Sequence, residues 1–443
     1  GVMTHAVSAA SKGDAVKPLH NASTADSYAD LPFLPAGGVA SAKGFKACGI
    51  HAGFRADPKR LDFALVAADQ PAACAAVFTT NVFCSAPVTV SKGHLDGAGY
   101  GIARAVAINS GIANAATGDK GLQTARQSSG IVADALGCPV QEVLVASTGV
   151  IGQHLQMEPF ESGAPLAASA LSAAGGADAA RAIMTTDTKP KEFAVTFSGN
   201  GLGYDGCMFT VGGMAKGSGM IMPNMATMIS VITTDAPVAA NHLHEALSKA
   251  VGISFNKITV DSDTSTNDSC FLLASGAAAP QGAACMQPGT SAFDAFENAL
   301  RTVCVALARE MAIDGEGATR LITVNVAGAA NPEDADKAAR TVANSPLVKT
   351  AVYGHDANWG RIAAALGRSG ATFSQGNVAI DIMGLPVCRK GLTVEFDEDE
   401  ALRRFEESEV VIDVDLGVGN CATTMWTCDF SHEYVTINGD YRS

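Results

Sequence analysis

The segment Val211–Ala236 holds the residues of this chain whose types and spacing are most suggestive of chemistry. It reads VGGMAKGSGMIMPNMATMISVITTDA, with four glycines that allow close backbone approach, one lysine, and Thr227 at the start of an apolar, β-branched run. The Pro-Asn dipeptide at 223–224 indicates a turn, and the run after it predicts a buried strand. A phosphate loop needs GxxxxGK[ST] before a helix, whereas Lys216 precedes a glycine and a strand follows. Spacing alone favours a glycine-rich turn that enters a strand.

A second segment, Ser147–Gly152 (STGVIG), follows the predicted strand Val143–Ala146, and by itself it predicts an ordinary turn. Together with the Lys216–Ala236 segment, it resembles the ornithine acetyltransferase family, also called glutamate N-acetyltransferase. Further blocks resemble this family in the family's order, from residue 109 to the end of the chain. They are Asn109–Gly118 (NSGIANAATG), Met184–Thr188 (MTTDT), Asp261–Asp268 (DSDTSTND), Asp314–Thr319 (DGEGAT), Lys349–Arg361 (KTAVYGHDANWGR) and Asn438–Ser443 (NGDYRS).

The resemblance implies self-cleavage between Ala226 and Thr227, with Thr227 as the catalytic nucleophile of the new chain. The Thr227 hydroxyl attacks the carbonyl of Ala226, an N→O shift gives an ester, and water releases it. The new α-amine has an ordinary pKa of about 7.7–8.0, so it is partly neutral near pH 7 and can act as general base for its own hydroxyl.

The resemblance also implies which residues serve the acyl transfer. The Thr148 hydroxyl and the Gly149 N–H are the implied donors to the tetrahedral oxyanion, and loss of one such donor typically costs about 2.7–4 kcal/mol. The implied substrate-binding residues are Thr185, Lys216, Thr227, Glu316, Asn438 and Ser443.

Charge complementarity gives a hypothesis for two of these residues. Lys216 pairs with the α-carboxylate that the family's two substrates, N2-acetylornithine and glutamate, have in common, and Glu316 pairs with an ammonium group. Glu316 could instead hold the amine of Thr227. Without the resemblance, Glu316 is a helix C-terminal residue capped by Gly317, and Ser443 is a frayed terminus.

The implied activity is acetyl transfer from N2-acetylornithine to glutamate in arginine biosynthesis, in a ping-pong scheme with an acetyl-Thr227 intermediate. Some relatives also use acetyl-CoA as donor, which the sequence leaves open. The resemblance implies no metal and no tightly held cofactor, and an assembly of two α and two β chains. Two alternatives remain. One is a self-cleaved amidohydrolase or aminopeptidase of the same fold, and the other is an amino-acid-binding relative that never cleaves.

Short strands alternating with helices must position these residues, which predicts an α/β or α+β fold. Strands are predicted at Phe63–Ala67, Phe193–Ser198, Leu321–Ala327 and Glu409–Leu416, and helices at residues 122–136, ending at Gly137, and from Phe293 to Met311. The resemblance implies an αββα sandwich with a smaller C-terminal α/β domain. The predicted division is a flexible extension over residues 1–30, an α part over 31–226 and a β part over 227–443.

Composition restricts the class of protein. The 443 residues carry 30 Lys+Arg and 44 Asp+Glu, a net charge of −14, which disfavours nucleic-acid binding. Only 17% of residues are charged, below the roughly 25% of typical domains, which favours an oligomer. No apolar run reaches membrane-span length, and the expected compartment is the cytoplasm, or a mitochondrion if the source is eukaryotic.

Several other patterns are interpreted as structural. Eleven cysteines without a CxxC pair favour reduced thiols over a zinc site or a disulfide framework. Residues 261–268 lack the glycine and glutamate of a calcium loop and predict a polar turn near the active site. His242 and His244 are interpreted as surface residues, Trp359 as packing and residues 397–400 as a solvated acidic run.

Overall fold

The computed structural model describes residues 16–19, 31–221 and 228–441. The chain divides into two compact units. The larger unit comprises Ser23–Leu321 and Thr424–Ser443, and the smaller comprises Gly1–Ala22 and Ile322–Thr423. Thr227, Ala226 and Ser443 lie outside the described residues, as does most of the predicted extension over residues 1–30.

An eight-stranded sheet forms the centre of the larger unit. Its strand order is β4-β3-β2-β8-β7-β6-β5, with β1 antiparallel to β2. The strands are β1 (Phe45–Ile50), β2 (Phe63–Phe78), β3 (Tyr100–Ile112), β4 (Val143–Val150), β5 (Lys191–Ser198), β6 (Met208–Lys216), β7 (Ile229–Thr234) and β8 (Ser269–Ala274). Two neighbouring pairs, β3–β4 and β7–β8, are parallel, and the others are antiparallel.

Strand β2 passes from one half of this sheet to the other. It pairs with β1 and β3 through its first residues, the register shifts between Ala67 and Ala72, and its last residues pair with β8. The exposed residues 69–71, which include a proline, lie at this irregularity. The predicted strand at 63–67 is therefore confirmed, and it extends eleven residues further because the bulge lets the strand continue.

Within the described residues of this unit, buried apolar clusters cover the faces of the sheet, and three of them are large. The middle one contains Val66 and Ile108 from the first half together with Val231 and Phe271 from the second half, so the two halves face each other across it. The two outer clusters contain helical residues on either side. These layers are the predicted αββα sandwich.

The helices of the outer layers follow from their apolar periodicity. Helices α2 (Gly118–Leu136) and α3 (Glu158–Ala170) contribute to one outer cluster, and α5 (Ala240–Ile253) and α6 (Ser291–Ile313) to the other. The predicted helix from Phe293 is confirmed as α6, which the Thr290 side chain caps by accepting the N–H of Phe293. The remaining helices of this unit are α1 (Ala86–His94), α4 (Gly176–Ala182) and α11 (His432–Asp440).

Two local predictions differ in outcome. Gly137 caps α2 with a φ of 69°, in the left-handed region that favours glycine, as predicted. The predicted turn at Ser147–Gly152 is wrong for its first residues, because β4 continues through Thr148 and Gly149 to Val150. Parallel pairing with β3 runs as far as Ile112 opposite Val150, which keeps this segment extended.

A six-stranded sheet has the order β12-β11-β10-β13-β9-β14. Its strands are β9 (Leu321–Ala329), β10 (Ala379–Ile382), β11 (Leu385–Arg389), β12 (Leu392–Thr393), β13 (Glu409–Asp415) and β14 (Cys421–Cys428). The helices of the smaller unit are α7 (Pro332–Asn344), α8 (Pro346–Tyr353), α9 (Trp359–Gly367) and α10 (Glu398–Arg404). The predicted strands at Leu321–Ala327 and Glu409–Leu416 are confirmed as β9 and β13.

The described residues contain no helix with the length and apolar character needed to cross a membrane. All eleven cysteines lie in the described ranges as free thiols, and six of them are buried. Within the same ranges, no three His, Cys, Asp or Glu side chains are grouped so as to hold a metal ion.

Candidate active site

The end of strand β4 forms one wall of an open cavity in the larger unit. Thr148 and Gly149 both line this cavity. In the sheet they pair with Ser110 and Gly111 of β3. Gly149 has a φ of 134°, and a Cβ there would lie 2.3 Å from the carbonyl carbon of Gly111. Only glycine fits this position, because any side chain would collide with the backbone of β3.

Lys216, the last residue of β6, contacts two of the other predicted site residues. Its Nζ donates to Thr148 Oγ1 at 3.1 Å and to Thr185 Oγ1 at 2.9 Å. The side chain is only 2% exposed. Burial lowers the pKa of the Lys216 ammonium, and the negative charge of Asp187 opposes this effect. The ammonium thus has two neutral acceptors and a nearby carboxylate that supports its charge.

Two arginines hold the backbone of the Thr185 segment. Arg60 Nη2 donates to the Thr185 carbonyl at 2.6 Å, and Arg55 Nη2 donates to the Met184 carbonyl at 3.2 Å. The Thr185 N–H in turn donates to Asp187 Oδ1 at 3.2 Å. The Thr185 hydroxyl is therefore presented to the cavity by a backbone that is fixed from both sides.

A buried ion triad, consisting of Asp187, Lys191 and Asp314, lies behind the cavity wall. Lys191 Nζ contacts Asp187 Oδ2 at 2.6 Å and Asp314 Oδ2 at 2.8 Å. Burial alone would raise the pKa of Asp187, but the positive charges of Lys191 and Lys216 outweigh it and lower that pKa to about 2. None of these three residues was identified as a site residue from the sequence. The signal that could have indicated two of them is that Asp187 and Asp314 belong to the segments MTTDT and DGEGAT.

Glu316 lies on the cavity wall in a segment that follows α6. The helix ends at Ile313, so the interpretation of Glu316 as its C-terminal residue is wrong. The Glu316 N–H donates to the Ser218 carbonyl at 2.9 Å, and Asn438 Nδ2 of α11 donates to Glu316 Oε1 at 3.3 Å. Burial raises the pKa of Glu316, and hydrogen bonds from Thr186 and Asn438 oppose the rise.

The predicted polar turn at residues 261–268 lines the cavity near Glu316. Asp261 accepts the N–H groups of Met220 and Ile221 at 2.7 and 3.0 Å and the Tyr434 hydroxyl at 3.0 Å. Burial raises the pKa of Asp261. Neither Asp261 nor Tyr434 was identified as a site residue from the sequence, although Asp261 belongs to a segment that the resemblance contains.

Asp268 fixes the backbone that directly follows Thr227. Its Oδ1 accepts the Met228 N–H at 2.9 Å, and the side chain is fully buried. Next to it, Asn267 Nδ2 donates to the Ala113 and Ser147 carbonyls at 2.6 and 2.7 Å, which ties this segment to β4. The site residues predicted at 148, 149, 185, 216, 316 and 438 all line one cavity, whereas Thr227, Ala226 and Ser443 lie outside the described residues.

The cavity has a volume of about 190 Å³, which suits a small molecule. Among the described residues, its lining contains one cation, Lys216, and three carboxyl groups, Asp261, Asp263 and Glu316. This arrangement can bind a small molecule that carries both a carboxylate and an ammonium group, and Thr148 and Gly149 can donate to a developing negative charge.

The two histidines, Trp359 and the acidic run, all interpreted as structural, are not among the residues that line this cavity. The His242 ring packs 6.2 Å from Phe293, and the His244 ring packs 5.9 Å from Tyr100. Trp359 lines a separate cavity of the smaller unit. The acidic run at 397–400 is largely exposed, as predicted, and it also begins α10, because the Asp397 side chain accepts the Asp399 and Glu400 N–H groups.

Known proteins resemble this chain over most of its length. The protein named arginine biosynthesis bifunctional protein ArgJ from Symbiobacterium thermophilum is 49% identical over 92% of this chain and 99% of its own. The protein of the same name from Chlorobaculum tepidum is 46% identical over 95% of this chain and 99% of its own.

Among solved structures, a protein of the same name from Bacillus halodurans is 42% identical. It covers 47% of this chain and 97% of its own, with a TM-score of 0.45. An ornithine acetyltransferase from Mycobacterium tuberculosis, complexed with ornithine, is 37% identical. It covers 44% of this chain and 98% of its own, with a TM-score of 0.39. The sequence profile described as the ArgJ family matches residues 46–443. The chain therefore belongs to the ArgJ family.

Proposed function

We propose that this enzyme transfers the acetyl group of N2-acetyl-L-ornithine to L-glutamate through an acetyl-Thr227 intermediate. Membership of the ArgJ family and the names of its relatives support a role in arginine biosynthesis. The observation that carries the proposal is the contact of Lys216 with both Thr148 and Thr185, on a cavity that Glu316 also lines.

The nucleophile of the proposed reaction is created by cleavage between Ala226 and Thr227. The hydroxyl of Thr227 then attacks the acetyl carbon, and the free α-amine of Thr227 takes the hydroxyl proton and passes it to the departing ornithine amine. The glutamate amine attacks the acetyl ester next, which releases N-acetylglutamate and restores the hydroxyl. The Asp268 bond to the Met228 N–H supports this assignment, since it anchors the residue covalently joined to Thr227.

The proposed oxyanion donors are the Thr148 hydroxyl and the Gly149 N–H. Lys216 Nζ carries only donors, so its bond to Thr148 Oγ1 uses an oxygen lone pair and leaves the hydroxyl proton free to donate. This proton and the Gly149 N–H stabilise the transition state most, because negative charge develops on the acetyl oxygen there.

Opposite charges on the cavity wall match opposite charges on the substrates. Lys216 pairs with the shared α-carboxylate and Glu316 with an ammonium group, while Thr185, Asn438 and Ser443 supply neutral hydrogen bonds. The alternative role for Glu316, a contact with the Thr227 amine, remains part of the proposal. Acetyl-CoA as a second donor, an assembly of two α and two β chains and the absence of a metal or cofactor requirement are also proposed, from the resemblance alone.

Intact mass under denaturing conditions, with N-terminal sequencing, tests the nucleophile. We expect two fragments, residues 1–226 and 227–443, the second beginning Thr-Met-Ile-Ser-Val. A single full-length species in an active preparation would refute the N-terminal base. Thr227→Ala, which removes the hydroxyl, is the control that should stay uncleaved.

A second assay separates transferase from hydrolase. With N2-acetyl-L-ornithine as the only substrate, a transferase releases no more than one ornithine per site, and added glutamate makes release continuous. Continuous release without glutamate would identify the hydrolase alternative. An uncleaved protein that binds ornithine without turnover would identify the binding-protein alternative.

A further inference from the structure

The buried ion triad of Asp187, Lys191 and Asp314 is not part of the cavity lining, yet it contacts the segments that carry the cavity's charged groups. Lys191 is 1% exposed, and Asp187 and Asp314 are 7% and 6% exposed. Two carboxylates around one ammonium are costly to bury, so their retention calls for a role beyond packing.

On one side, the triad holds the segments that bear Thr185 and Lys216. Asp187 Oδ1 accepts the Thr185 N–H at 3.2 Å, and Asp187 Oδ2 accepts the Gly217 N–H at 2.9 Å. The second of these amides belongs to the residue that directly follows Lys216. The Asp187 carboxylate therefore fixes the backbone at Thr185, which bears a neutral hydroxyl, and directly after Lys216, which bears the ammonium group.

On the other side, the triad holds the segment that bears Glu316. The Asp314 carbonyl accepts the Ser218 hydroxyl at 2.8 Å, and the Ser218 carbonyl accepts the Glu316 N–H at 2.9 Å. Asp314 Oδ2 also accepts the Thr188 N–H at 2.9 Å. A series of covalent bonds and hydrogen bonds therefore connects Lys216 to Glu316 through Gly217, Ser218 and the triad. This connection does not cross the cavity.

We propose that the triad is a positioning network that sets the separation of Lys216 and Glu316, and that its Asp187 carboxylate supports the charge of Lys216 for a substrate carboxylate. The inference deepens the proposed function and rests on it. The three residues act through Lys216 and Glu316 and do not touch the substrate.

Four charged or titratable groups act on the Lys216 ammonium. Burial lowers its pKa most, and Lys191 lowers it further, whereas Asp187, Asp268 and Glu316 raise it. Asp187 has the largest of these supporting effects. Replacing the Asp187 carboxylate by a neutral amide should therefore let Lys216 lose its proton at a lower pH than in the wild type.

The test is the pH dependence of ornithine binding to the full chain, measured by calorimetry. In the wild type, affinity should fall as pH rises through the pKa of Lys216. In Asp187→Asn, the same fall should occur about one pH unit lower or more, since a nearby opposite charge shifts a pKa by this amount. Titration of ornithine itself is common to all variants and cancels in the comparison.

Asp381→Asn is the matched control. Asp381 is also buried and paired with an arginine, Arg389 at 2.7 Å, but both belong to the smaller unit and neither lines the cavity. Its binding curve should keep the midpoint of the wild type. A purely structural role for Asp187 would weaken ornithine binding equally at every pH and leave the midpoint unchanged, which would overturn the inference.

Ser218→Ala is the second variant, because Asp187→Asn could fail to fold. It removes only the hydroxyl that donates to Asp314, so we expect about five-fold weaker ornithine binding without a midpoint shift. Unchanged affinity would contradict the proposed connection to Glu316. If the wild type itself did not bind ornithine, the proposed function would fail together with this inference, whereas normal binding with an unmoved Asp187→Asn midpoint would refute only the inference.

Discussion

Asp187 and Asp268 are two buried carboxyl groups that act on Lys216 and yet differ in their affinity for a proton. Lys191 Nζ and the Gly217 N–H both contact Asp187, and its pKa falls to about 2 despite burial. Asp268 accepts the Met228 N–H through Oδ1, while Oδ2 has no hydrogen-bond partner in the described part of the chain. Burial raises the pKa of Asp268 well above its ordinary value.

The difference shows that burial alone does not decide the charge of a carboxyl group in this site. Both side chains have lost most of their water, so what distinguishes them is direct contact with an ammonium group. Asp187 is a fixed negative charge that supports Lys216, whereas Asp268 is a hydrogen-bond acceptor that favours its neutral form. Four substitutions test this contrast.

Lys191→Met should have the largest effect. It leaves the Asp187 and Asp314 carboxylates buried without their ammonium partner, which should lower the free energy of unfolding by about 3–5 kcal/mol. Urea denaturation measures this loss. Lys249→Met is the control, because its half-exposed pair with Glu245 at 3.4 Å should contribute less than about 1 kcal/mol. Equal losses in the two variants would contradict the importance of the triad.

Lys216→Met should separate function from stability. We expect ornithine affinity to fall 10- to 100-fold, as for the loss of a charge-assisted hydrogen bond of about 1.5–3 kcal/mol. The free energy of unfolding should change little, since burial already disfavours the charged form of Lys216. Calorimetry measures the ornithine affinity, and urea denaturation of the same preparation measures the free energy of unfolding. A large loss of stability with intact binding would refute the assignment of Lys216 to the substrate.

Asp187→Asn should lower the free energy of unfolding by about 2 kcal/mol near neutral pH. Because the folded-state pKa of Asp187 is about 2, below its ordinary 3.8, its stabilising effect is complete above about pH 4. That effect is lost as pH falls through about 2. The difference between variant and wild type should therefore shrink over this range in urea denaturation. A difference that does not depend on pH would mean that Asp187 is not ionised in the folded protein.

Asp268→Asn should have the smallest effect and the opposite sign. The raised pKa means that wild-type Asp268 destabilises the folded state progressively as pH rises above about 4. Asparagine keeps a carbonyl acceptor for the Met228 N–H and does not titrate, so the variant should be as stable as the wild type or more so at pH 7, within about 1 kcal/mol. Urea denaturation at pH 4 and pH 7 should show the gain only at pH 7. A loss at pH 7 would indicate that Asp268 is ionised.

The sequence predicted elements whose signal is local. Helix α6 follows from its apolar spacing, and the end of α2 follows from Gly137, because both depend on neighbours within one or two turns. The extension of β4 through Thr148 and Gly149 was missed, since it depends on pairing with β3, more than thirty residues away along the chain.

The candidate site could be predicted only in part. The resemblance supplied Thr148, Gly149, Thr185, Lys216 and Glu316, and these residues line one cavity. The triad could not be predicted in the same way. Asp187 and Asp314 lie in segments that the resemblance contains, but Lys191 lies in none of them and is 123 residues away from Asp314 along the chain. Contacts of this separation are fixed by the tertiary fold, which the local pattern of residues does not reveal.

Strands β6 and β7 are inner strands of the sheet, and they pair from Val211 opposite Thr234 to Lys216 opposite Ile229. The proposed cleavage falls between these two strands, so each product would contribute one strand to an unbroken ladder of hydrogen bonds. Unfolding would then release two chains from one folded unit, and refolding would become a second-order process whose rate depends on protein concentration. The uncleaved precursor has no such dependence, so this enzyme would fold once as a single chain and recover from denaturation only as a pair.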